Sequence, residues 1–127
     1  MIGEDNFDDL FVNEDDVFDK KLTKDILQRY VQLTKRDEII TNESFNKRKN
    51  KSKMLIRILS KKVLADRKGE QERVKPKEIE ELTGIPHGSI GHMLPELERS
   101  RLLRSEDGKY WIPNYAISLI NEFLGIV

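Results

Sequence analysis

The stretch VKPKEIEELTGIPHGSIGHMLPELERSRLLRSEDGKYWIP, Val74 to Pro113, decides the fold. Pro76 suits the first turn of a helix, where its missing N–H would be unpaired in any case. Ile79 and Leu82 then fall on one face, so a helix is predicted over Pro76 to Thr83. Gly84 permits a left-handed helix end and Pro86 prevents continuation, so Thr83-Gly84-Ile85-Pro86 reads as a tight turn. A second helix is expected from Gly88 to about Arg101, with Ile90, Leu94 and Leu97 on one face and Met93 and Leu102 flanking them. Beyond it, Leu102 to Ser105 and Lys109 to Ile112 are apolar-biased arms around Glu106-Asp107-Gly108, and Asp-Gly is a strong hairpin signal. Val74 fits a one-residue strand.

Working outward from this stretch, Ser52 is a good helix start. Met54, Leu55, Ile58, Leu59 and Val63 recur at helical spacing until Asp66, and Gly69 follows. On the other side, Pro113-Asn114 closes the hairpin and caps a last helix over Tyr115 to Leu124. Its apolar residues leave little polar face, so it needs cover from its own core or from a second copy. Further upstream, Thr23 can cap a helix over Leu22 to Arg29. Val31 and Leu33, then Ile39 to Thr41, suggest a hairpin turning at Lys35-Arg36-Asp37, with a continuous helix as the alternative. The expected organisation is an acidic-hydrophobic flexible or docking arm (1–21), an extension with a short helix, this hairpin and a basic linker (22–51), and a main domain (52–127).

This pattern resembles the winged helix-turn-helix superfamily of DNA-binding domains, in its archaeal and bacterial regulator type. There a short strand precedes a P-x-E-I-x-x-L-x-G-I helix and turn, matched by Pro76 to Ile85. An S-I-x-x-x-L-x-x-L recognition helix follows, matched by Ser89 to Leu97, and then a G-L-L-x-x-x-D-G-x-Y wing, matched from Leu102 to Tyr110. The implied fold is mainly α with a small β-hairpin wing, carrying an extra N-terminal helix and hairpin and a C-terminal helix. The implied function is DNA binding, with the third helix in the major groove and the wing on backbone or minor groove. Carried onto this chain, the readers are His87, Ser89, Gly91 and His92, and the wing contacts are Arg104, Ser105 and Lys109.

The exposed chemistry departs from that pattern. Between Lys77 and Arg99 there is no Lys or Arg, while Glu78, Glu80, Glu81, Glu96 and Glu98 are present. A recognition surface this poor in guanidinium cannot make the commonest bidentate guanine contacts. Pro95 removes the N–H that would bond the Gly91 carbonyl and is expected to kink the helix. Base reading is therefore expected to be modest and backbone contact dominant.

Charge points the same way. The formal net charge is zero, yet Met1 to Asp19 carries eight acids and no Lys or Arg, which leaves 23 basic against 15 acidic residues in the rest. From Lys47 to Lys62 there are eight cations without one acid. Such a run reads either as a solvated face or as contact with phosphates, which needs no sequence information. The backbone contacts are assigned to Lys47, Arg48, Lys49, Lys51 and Lys53. The opening segment mixes its acids with Phe7, Leu10 and Phe11. It reads as a solubilising tail, as a dock for a protein partner over 1–19, or as a charge-matched cover for the basic body.

Several classes fall away. With no cysteine there is no disulfide framework, thiolate nucleophile or cysteine-ligated zinc. His87 and His92, five apart on a helix, point to different sides and suit no metal. Ser89 has no acid–base partner arranged for nucleophilic attack, so no catalytic residue, cofactor or enzyme activity is expected. No apolar run approaches the ~20 residues of a membrane span, and the acidic amino terminus is unlike a secretory signal. The expectation is a cytoplasmic, nucleoid-associated DNA-binding protein. It would act in transcription regulation or as a chromosome-associated factor, with a homodimer through the Tyr115–Leu124 helix expected over a monomer. The alternative is a protein-interaction subunit or adaptor of a larger complex.

Overall fold

Asp19 begins the first helix by accepting a hydrogen bond from the Leu22 amide at 3.0 Å. The structure is a computed structural model and describes Phe7, Leu10 and residues 17–125, so the acidic arm lies largely outside the described residues. Helix α1 spans Lys20–Leu27. The expected cap, Thr23, instead sits buried inside it, its hydroxyl donating to the Asp19 carbonyl at 2.7 Å. The stronger N-cap carboxylate wins, and the helix starts two residues earlier than expected.

The hairpin reading holds over the continuous helix. Strands β1 (Val31–Leu33) and β2 (Ile39–Thr41) pair antiparallel, Val31 opposite Thr41. The Thr34 hydroxyl accepts the amides of Arg36 and Glu38, and Asp37 takes a left-handed φ of 63°. Lys68 holds that turn through an ion pair with Asp37. A four-residue helix that sequence reasoning missed follows, α2 (Glu43–Asn46). Asn42 caps it by accepting the Phe45 amide at 3.0 Å, and Phe45 enters the core.

Helix α3 (Asn50–Lys68) is the central element. It begins two residues before Ser52, which is buried within it and caps nothing. Gly69 ends it at φ 70°. Met54, Leu55, Ile58 and Leu59 are at most 1% exposed and form the floor of the core. One buried cluster takes in Ile26 and Leu27 of α1, Phe45, these α3 residues, and the apolar face of everything downstream. Lys62 is also buried. Its ammonium donates to both Glu72 carboxylate oxygens and to the Ile112 carbonyl, each at 2.8 Å, which satisfies the charge.

Val74 then pairs as a single bridge with Tyr110. Helix α4 (Pro76–Thr83) matches the expected bounds and ends at Gly84, φ 73°. Helix α5 (His87–Arg99) starts one residue earlier and stops two earlier than expected, and it is continuous through Pro95. Its end is closed by Leu102 N–H to the Leu97 carbonyl and Arg101 N–H to the Glu98 carbonyl, both at 3.0 Å, with Arg101 left-handed at φ 65°. Strands β3 (Arg104–Glu106) and β4 (Lys109–Trp111) form the second hairpin. Trp111 is only half-buried, under the Arg73 guanidinium 4.3 Å from its ring centroid; Ile112 is the residue that goes fully inside.

The carboxyl-terminal segment is not one helix over Tyr115 to Leu124 but a 3-10 turn (Asn114–Ala116) followed by α6 (Ile117–Phe123). Ala116, Ile117, Ile120 and Leu124 are buried in the chain's own core, and the Arg48 guanidinium donates to the Leu124 carbonyl at 2.7 Å. Phe123, 44% exposed, is the main apolar remainder of that segment. The fold is therefore mainly helical with small antiparallel hairpins. No described helix is long and apolar enough to cross a membrane.

Candidate functional site

The cation-rich stretch runs from the end of α2 into the first turns of α3, and folding divides it. Lys47 is exposed, 3.8 Å from Glu43. Lys49, also exposed, occupies the N-cap of α3, whose first turn holds no acid. Arg48 is turned inward: besides its bond to Leu124, its guanidinium lies 5.7 Å from the Tyr30 ring, so its first role is to clip α6 to α2. Lys53 and Arg57 both lie over the Phe45 ring, at 5.9 and 5.4 Å, and burial pushes the Arg57 pKa down. Lys47 and Lys49 are exposed and Lys51 is partly so.

These three border a cleft of about 650 Å³ whose lining also includes Arg48, Asn50, Ser52, Met93 and Phe123. Met93 comes from α5, so the basic stretch and that helix share one concavity. A neighbouring hollow extends the same strip to Arg29 and Ser44 through Lys47 and Arg48.

On α5, the four candidate readers are all exposed. A Cβ added at Gly88 or Gly91 would meet nothing within 4 Å, so no internal packing demands glycine there. The histidines face carboxylates. His87 Nδ1 is 3.6 Å from Glu80, and His92 Nε2 is 2.9 Å from Glu96. The second Glu96 oxygen takes the Lys51 ammonium, whose hydrogen bond holds the Glu96 carboxyl below its ordinary value, with His92 and Arg99 adding to the effect. The Ser105 hydroxyl donates to both Glu98 oxygens, at 2.8 and 2.9 Å, tying the second hairpin to α5. Arg104 stands across from Trp111 and is half-buried; Lys109 stands across from Glu106.

The sequence-predicted residues thus fall into two groups. Lys47, Lys49 and Lys51 gather with the α5 edge. His87, His92 and Ser105 are engaged by glutamates of the same chain, and so is Lys51, through Glu96. Sequence reasoning missed Arg101, exposed at the junction of α5 and the second hairpin in a conformation that glycine adopts more easily. The signal was visible: Arg101 stands where the wing pattern carries glycine. Among the described residues, no group of three or more His, Asp or Glu is arranged to hold a metal ion. Comparison of the chain with protein-family models, with curated proteins and with solved structures finds no match.

Proposed function

We propose that residues 50–125 form a winged helix-turn-helix domain that binds double-stranded DNA, mainly through the phosphate backbone. The order of α3, the Val74 bridge, α4, α5 and the second hairpin supports the fold reading. The single observation that carries the functional reading is the cleft in which Lys47, Lys49 and Lys51 adjoin Met93 of α5. Cations gathered beside a helix edge suit phosphates, each of which releases counterions when neutralised. Base reading is weak in this account, because the first turns of α5 offer Ser89, Gly91 and two histidines but no Lys or Arg. Such a protein acts in the cytoplasm on the nucleoid, as a regulator or a chromosome-associated factor.

A second reading, a protein-binding subunit or adaptor, is favoured by one observation: Glu80, Glu96 and Glu98 sit against the very side chains that would face DNA. The double substitution Lys47→Glu/Lys49→Glu separates the two. Both side chains are exposed, so the fold should survive. The DNA reading expects duplex affinity at low salt to fall by about tenfold or more. Unchanged affinity, together with recovery of a stoichiometric protein partner, would favour the adaptor.

A further inference from the structure

We propose that the cleft at the start of α3 receives the chain's own acidic segment, Met1 to Asp16, and that this segment competes there with DNA. The competition rests on the DNA-binding reading; the docking does not. The chemistry of the two surfaces matches. The segment carries Glu4, Asp5, Asp8, Asp9, Glu14, Asp15 and Asp16 interspersed with Phe7, Leu10 and Phe11. The cleft offers Lys47, Lys49 and Lys51 together with Met93 and the exposed ring of Phe123. Carboxylates have cations to meet, and aromatic side chains have an apolar wall.

The geometry permits it. The segment joins the body at Phe18, whose ring centroid lies 4.9 Å from the Lys62 ammonium, and at Lys20, paired with Asp66 at 3.3 Å. Lys62 and Lys51 are close to three full turns apart on α3, so they share one side of it, separated by roughly 16 Å along the axis. Sixteen residues can span roughly 50 Å when extended. Tethering then holds the segment at an effective concentration of ~1 mM near the cleft, where even weak pairing populates a closed form.

Another groove, about 270 Å³ beside α1 and β1, lies nearer the segment. Leu27, Val31, Leu33 and Val63 line it together with two lysines, Lys20 and Lys24, and one acid, Asp66. It offers two cations and an acid where the cleft at the start of α3 offers Lys47, Arg48, Lys49 and Lys51 with no acid in its lining, so the basic cleft is the site.

The test compares the full chain with its Asp8→Asn/Asp9→Asn/Asp15→Asn/Asp16→Asn variant by amide chemical shifts. Docking predicts differences at Lys47 to Ser52, Met93 and Phe123 that disappear at ~0.5 M salt, where charges are screened within a few ångströms. No difference at those amides, or differences confined to Leu27 to Leu33 and Val63, would overturn the proposal. The variant should also bind duplex DNA roughly three- to tenfold tighter at low salt. Equal affinities would overturn the competition. Shifts at the cleft with no DNA binding by either chain would remove the DNA reading and leave the docking standing.

Discussion

Lys51 of α3 is ion-paired with Glu96 of α5, so the basic stretch and the candidate recognition helix meet at one carboxylate. The other oxygen of that carboxylate lies 2.9 Å from His92. Glu96 therefore joins Lys51 of α3 and the exposed His92 of α5 at a single carboxylate.

This arrangement has a pH signature. Glu96 titrates below its ordinary value of 4.5 because Lys51 bonds the ionised form. A lowered folded-state value stabilises the fold above the unfolded value and loses that contribution as pH falls through the lowered one. Glu96→Gln should thus be less stable than the parent at pH 7, with the gap closing as the pH falls below the ordinary value of 4.5 and through the lowered one. Denaturant titrations at the two ends measure it. An equal gap at both ends would contradict the assignment.

Lys62 predicts an asymmetry between the two ends of its ion pair. Lys62→Met leaves the buried Ile112 carbonyl and the partly buried Glu72 carboxylate without their donor, and should cost about 2–4 kcal/mol. Glu72→Gln keeps an acceptor for Lys62 and the bond to Ile112, and should cost less than half as much. Urea unfolding of both variants checks the ranking; equal costs would mean that the carbonyl contact contributes nothing.

The elements legible in the sequence were those with both a period and a punctuation mark. Helix α4 matched because Pro76 and Gly84 bracket it, and the second hairpin because Asp107-Gly108 specifies its turn. Local competition defeated the rest. Asp19 outcompeted Thr23 as a cap, and Asn42 nucleated a helix too short to show a period. Tyr115 and Ala116 fell into a 3-10 turn before α6. For the candidate site, the basic run was readable as charge. Which cations stay in solvent was not, because Arg48, Arg57 and Lys62 are drawn inward by partners distant in sequence: Leu124 for Arg48, Ile112 for Lys62. Likewise nothing local announces that Ser105 bonds Glu98 or that His92 faces Glu96.

Arg101 holds a left-handed backbone without glycine's freedom, and such strain is commonly retained where a side chain is used. Arg101→Gly should therefore raise stability by up to about 1 kcal/mol while weakening duplex binding several-fold. Thermal unfolding and a binding isotherm on the same variant decide it. Gained stability with unchanged DNA affinity would assign Arg101 no place at the interface.

The central claim is backbone-dominated DNA binding, and the salt dependence of duplex affinity tests it most directly. With Lys47, Lys49, Lys51 and one or two further cations each neutralising a phosphate, log affinity should fall linearly with log salt at a slope of about −3.6 to −4.5. Two unrelated duplexes should differ by less than about tenfold. Absence of binding at low salt, or an affinity that does not respond to salt, would contradict the account.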